Sequence, residues 1–105
     1  MIVKIMNSPI KTKRYRVYMD NGKYYDFGYN HGYTYIDGET DKQRNNYLKR
    51  HLANETENIL INNLVPSPSL FSAYLLWGKY RDLDKNINYL NHLWELKHNY
   101  SLKRK

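Results

Sequence analysis

The chain has 105 residues, 17 Lys and Arg against 10 Asp and Glu, a net charge of +7 with neutral histidines, and no cysteine. That length fits one domain with one modest core, and the missing cysteines exclude disulfides and thiolate metal sites. The opening MIVKIMNSPIKTK is too short and polar for a signal peptide, so the expectation is a protein that is not secreted, and no apolar run approaches the roughly 20 residues of a membrane-spanning helix.

Residues 1–13 begin with Ile2, Val3, Ile5 and Met6 around Lys4, a short strand or an N-terminal arm that Pro9 breaks. Arg14 to Met19 (RYRVYM) reads as a strand of β-branched and aromatic residues. Asn21-Gly22 between two aromatic runs predicts a hairpin, with Lys23 to Tyr29 as the return strand. Alternation puts Tyr25 and Phe27 on one face and Tyr24 and Asp26 on the other. Gly28 and Gly32 mark a bulge or the strand exit. Residues 30–38 form an ordered loop or a short third strand.

A helix should start at Glu39 or Thr40, with Asp41 in its first turn, and run to about Ala53. Helical spacing gathers Arg44, Tyr47, Leu48, His51 and Leu52 on one face, expected to pack on the hairpin, with a carboxylate such as Asp26 or Asp37 as the partner of Arg44. Lys42, Asn46, Lys49 and Arg50 face water. Residues 54–65 read as a short helix turn or a buried loop. Ser67 before Pro68 is a helix start, and Leu70 to Trp77 (LFSAYLLW) is an all-round apolar core helix ended by Gly78. A last helix begins at Asp82 or Asp84 and carries Leu83, Ile87, Leu90 and Trp94 on one face. It leads into a basic tail, residues 98–105, expected to fray. These elements predict an α+β fold in a single domain over residues 1–105: an antiparallel β-hairpin or three-stranded sheet, then three packed α-helices.

Signals for chemistry are few. Asp26-Phe27-Gly28 spells the magnesium-binding triplet of protein kinases, but no glycine-rich loop or catalytic-loop motif accompanies it. The histidines, His31, His51, His92 and His98, include no pair at helical i, i+4 spacing, and no serine sits in G-x-S-x-G. The expectation is a protein with no catalytic residues, no metal and no cofactor. Its basic residues are more informative. Positive charge favours anionic partners, nucleic acid before a membrane surface. Arg14 and Arg16 share a strand face, Lys42, Lys49 and Arg50 the outer side of a helix, and some of the 12 tyrosines stand between them. Cations for phosphates and rings for bases make a surface for DNA or RNA with little sequence specificity; the competing reading is a solvated face.

The run YDFG, then YTYI, then D-x-x-R-x-x-Y-x-x-R-H at Asp41 to His51 resembles a family of small uncharacterised proteins of nucleocytoplasmic large DNA viruses, including giant and algal viruses. LLWGK at Leu75 to Lys79, followed by Leu83 and Ile87, resembles the C-terminal half of that family, so the likeness spans about residues 14–90. Residues 54–66 depart from it, being longer and richer in Asn and Ile. The resemblance marks Asp26, Phe27, Gly28, Arg44, Tyr47, His51, Leu75 and Trp77 as motif residues with structural roles. It implies a viral protein of the virion or of a host-cell viral factory, without established activity, that meets the genome or the particle. Two functions follow: a non-specific nucleic-acid binder, or a minor capsid or core protein whose tyrosines and tryptophans contact other virion proteins.

Overall fold

The computed structural model describes the backbone of residues 1–103 and the side chains of residues 1–99. Strands β1 (Ile2–Asn7), β2 (Lys13–Met19) and β3 (Tyr24–Tyr29) form one antiparallel sheet in the order β1-β2-β3. The stretch expected as an arm is therefore largely an edge strand. Ile2 and Ile5 are an odd spacing apart and would face opposite ways in a regular strand. A register shift between Ile2 and Lys4 lets Ile2 be buried in the core while Ile5 also packs against it. Asn91 holds this edge from across the molecule: its amide accepts from the Ile2 N–H at 2.8 Å and donates to the Ile2 carbonyl at 3.0 Å.

The hairpin turns at Asn21-Gly22, where Gly22 has φ +86° and the Asn21 side chain accepts from the Lys23 N–H. Residues 30–38 contain no third strand; they form a loop with a 3₁₀ turn at Tyr35–Asp37. The inner face of the sheet offers Val17, Met19 and Phe27, all buried, flanked by Tyr15 and Tyr25. Phe71 meets this face with ring centroids 5.5 Å from Tyr25 and 5.7 Å from Phe27.

Four helices follow among the described residues, one more than expected. Thr40 caps α1 (Asp41–Leu52) by accepting from the Gln43 N–H, and Asn54 caps α2 (Glu55–Asn62) by accepting from the Glu57 N–H. The second helix occupies the stretch that its scattered isoleucines left ambiguous. It closes with Leu64 at φ 55°, the Leu64 N–H bonded to Ile61 O and the Val65 N–H to Leu60 O. This double bond pattern normally places glycine at the left-handed position; here Leu64 packs its side chain against the core instead. Ser67 caps α3 (Pro68–Phe71), as its sequence signals, and α3 runs on as a π-helical turn, Ser72–Leu76.

The last helix, α4 (Leu83–Lys103), carries the backbone through most of the expected frayed tail; Arg104 and Lys105 lie outside the described residues. Between the π-helical turn and α4 the chain reverses at Gly78, where a Cβ would sit 1.9 Å from the Tyr74 carbonyl oxygen. Asn86, fully buried, ties that reversal together: its Nδ2 donates to Leu75 O (3.0 Å) and Tyr80 O (2.8 Å), and its Oδ1 accepts from the Tyr80 N–H (2.9 Å). Among the described residues no helix is long and apolar enough to cross a membrane.

The sheet is covered by α3, the π-helical turn and α4, through Phe71, Leu75, Leu76 and Leu90. Helix α1 does not pack on the hairpin as its spacing suggested. Strands of six and seven residues offer an inner face that these four side chains fill, and α1 lies beside α2 and the π-helical turn.

Candidate functional site

The two strand arginines are committed to carboxylates. Arg16 donates from Nε and Nη2 to the two oxygens of Asp26, each at 3.0 Å, and Ser8 Oγ adds a third bond at 2.6 Å. Hydrogen bonds from Arg16 hold the Asp26 carboxyl below its usual range against the opposing effect of burial. The Arg16 guanidinium also lies 4.1 Å from the Tyr24 ring centroid. Arg14 forks onto Asp37 at 2.7 and 2.6 Å, and the Thr34 N–H and hydroxyl add bonds of 2.9 Å each. Arg14 and these local donors pull the Asp37 carboxyl down to about 2. These pairs clamp the hairpin and the 30–40 loop. By contrast, Lys42, Lys49 and Arg50 are exposed along α1, and among the described residues no carboxylate lies within ion-pair distance of them. Of the five basic residues marked in the sequence, Arg14 and Arg16 are thus tied to carboxylates, while Lys42, Lys49 and Arg50 carry exposed charge.

The motif residues do converge, though not on the expected partners. Arg44 meets neither Asp26 nor Asp37; its Nε donates to the carbonyls of Trp77 (3.0 Å) and Gly78 (2.9 Å) just past the π-helical turn. A guanidinium suits that place, because the last carbonyls of a helix are unsatisfied and carry partial negative charge. Tyr47 stacks on Trp77 at 4.5 Å with the rings 8° from parallel, and the His51 ring centroid lies 4.2 Å from that of Tyr47. Burial pushes the Tyr47 hydroxyl up to about 12, partly offset by a hydrogen bond with Ser72. His51 Nδ1 lies 3.0 and 3.1 Å from the Glu57 oxygens, and Ser69 Oγ donates to Oε1 at 3.1 Å. One carboxylate thus joins α1, α2 and α3.

Phe27 and Leu75 are fully buried core residues. Gly28 has φ +80°, and a Cβ there would lie 2.9 Å from a Leu76 methyl and 3.2 Å from Arg14 Cβ, so its place in the motif follows from both backbone and space.

Beside this stack opens a cleft of about 490 Å³. Lys13, Tyr29 and Tyr33 line the side formed by the strand ends and the following loop; Tyr47, Arg50, His51 and Trp77 line the helical side. Tyr29 and Tyr33 are 64% and 57% exposed, far more than a packing role needs. Lys13, Tyr29 and Tyr33, all in the cleft lining, went unmarked as site residues in the sequence. Tyr29 and Lys13 stand opposite each other across the β2–β3 ladder, a pairing that the hairpin register predicts once the turn is fixed. Glu57 was missed too; its only sequence signal is its place in the first turn after an asparagine cap. Among the described residues no three of His, Cys, Asp and Glu gather around a point that a metal ion could occupy.

Residues 3–51 match a family of unknown function, DUF5754. The matched stretch takes in all three strands, the 30–40 loop and α1, hence Gly28, Arg44, Tyr47 and His51 but neither Glu57 nor Trp77. It starts earlier and ends earlier than the likeness read from the sequence motifs. No curated protein and no solved structure gives a significant match.

Proposed function

We propose that this chain is a non-catalytic viral protein that binds nucleic acid with little sequence specificity, and that its contact surface is the cleft edged by Lys13 and Arg50. The observation that carries this reading is the shared cleft: two cations, neither within ion-pair distance of a carboxylate among the described residues, beside two exposed tyrosines. Cations that must leave no internal partner can neutralise phosphates without the loss of an ion pair, and exposed rings add stacking that every base can use. Arg14 and Arg16 cannot serve in the same way, since each would abandon a bidentate carboxylate. Lys49, next to Arg50 on the exposed side of α1, extends the basic rim. The location in a virion or viral factory rests on the sequence resemblance to proteins of large DNA viruses.

Charge reversal at Lys13 and Arg50 tests the reading. In low salt the unaltered protein should bind mixed-sequence oligonucleotides at micromolar concentration, and K13E/R50E should weaken binding at least tenfold for every sequence alike. Failure of the unaltered protein to form a complex at tens of micromolar would reject it. The minor capsid or core reading would then lead, favoured by Val3 and Met6, 65% and 40% exposed on an edge strand, because unpaired strand edges with apolar side chains invite protein contacts.

A further inference from the structure

We infer that the cleft selects unpaired nucleotides, so that single strands bind in preference to duplex; this rests on the nucleic-acid reading above and narrows its ligand. The shape argues for it. A concavity of about 490 Å³ is of the size that holds one small-molecule unit, and a nucleotide is such a unit. Tyr29 and Tyr33 both line that concavity and are largely exposed. In a duplex the base faces are already stacked and only phosphates and groove edges are offered, so these rings would have nothing to stack on. In a single strand each base can turn its face to a ring while its phosphate stays at the rim.

The charges are arranged to the same end. Lys13 stands with Tyr29 and Tyr33 on the strand side of the opening, and Arg50 on the helical side. The one carboxylate in the cleft, Glu57, is not left bare toward a phosphate: both oxygens face His51 Nδ1 and Oε1 also takes the Ser69 hydroxyl. Because Nδ1 is taken by Glu57, Nε2 is the polar atom His51 has left for a ligand. Trp77, in the same lining, supplies a built-in reporter; the chain's second tryptophan, Trp94, lies elsewhere with its Nε1–H bonded to the Leu64 carbonyl.

The experiment compares a 12-residue oligothymidylate with a blunt-ended 12-base-pair duplex, which has no unpaired loop, at equal nucleotide concentration and one low salt concentration, by anisotropy and by Trp77 fluorescence in a Trp94→Phe background. The strand should bind about tenfold or more tightly than the duplex and quench Trp77. Y29A/Y33A should lower strand affinity about tenfold or more and leave duplex affinity within twofold, whereas Y29F/Y33F should keep the preference. Both tyrosines are exposed, so a melting curve confirms that the variants fold. Equal affinity for strand and duplex, or an equal loss on both from Y29A/Y33A, overturns the inference. If K13E/R50E still weakens both forms in that case, the nucleic-acid reading survives alone. Absence of binding to either form removes both.

Discussion

Arg44 joins α1 to the end of the π-helical turn with a single group, and its loss should be felt as loss of stability, not of binding. Arg44→Ala leaves the Trp77 and Gly78 carbonyls without their charged donor and should cost about 1–3 kcal/mol. Arg44→Lys should recover only part of that, since both bonds come from Nε and a lysine carries a methylene at that position, its ammonium lying one bond further out. Chemical denaturation checks both, and an Arg44→Ala protein as stable as the parent would show that the contact contributes nothing. Asn86 is the sharper case. Replacing it with Leu strands three backbone groups of the Gly78 reversal, at a cost of about 3 kcal/mol or more; a melting temperature within a degree of the parent would refute this. These two residues mark the limit of what the sequence discloses at this scale. Helical spacing correctly grouped Arg44, Tyr47 and His51 on one face, but spacing says nothing of what covers the face. Asn86 gave no signal at all, because an asparagine on a polar helix reads the same whether it is exposed or bonded three times inside the fold.

At the scale of elements, the local signals were the legible ones: the Asn21-Gly22 hairpin, the Thr40 and Ser67 caps, and the stop at Gly78. What escaped depends on contacts distant in sequence. The register shift in β1 hides its inward face, and α2 hides because three isoleucine and leucine neighbours among asparagines fix no period. The 30–40 loop belongs with these, since its order comes from Arg14 on another element. Its Asp37, held down to about 2, and Asp26, held low by Arg16, make stability depend on pH in a definite direction. In the unfolded chain both carboxyls take protons near pH 4; in the folded chain they resist to lower pH. The unfolded state therefore binds more protons between about pH 4 and 2, and stability is full above that window and falls as the pH drops through it. Asp37→Asn should lower stability at pH 7 and flatten this acid limb. Melting temperatures at pH 7, 4 and 2.5 check it, and an equally steep limb in the variant would place the dependence elsewhere. The core itself predicts more simply: Leu75, with no exposed surface, should cost about 2–5 kcal/mol on replacement with Ala.

For the whole molecule the question is how much of a net charge of +7 can act on a polyanion. Counting exposed-looking cations in the sequence gave five candidates, but folding divides them. Arg14 and Arg16 balance Asp37 and Asp26 inside the structure, and each pair contributes no net charge to the surface around it. Lys13 and Arg50 stay available on one cleft, with Lys49 and Lys42 exposed along α1. If about three of these neutralise phosphates, binding should fall linearly in log salt with a slope near −2 on single strands and near −2.7 on duplex. Five acting together would give about −3.5 and −4.5. The measured slope therefore reads how many cations the fold leaves for a partner, and its change in variants reads which. Arg16→Gln should leave it unchanged while lowering stability, because that side chain is spent on Asp26; Arg50→Gln should reduce it by about 0.7 on single strands and leave stability intact. A slope near −3.5 on single strands, reduced by Arg16→Gln, would mean that the strand arginines release their carboxylates on binding and that the polyanion lies across the sheet instead of in the cleft.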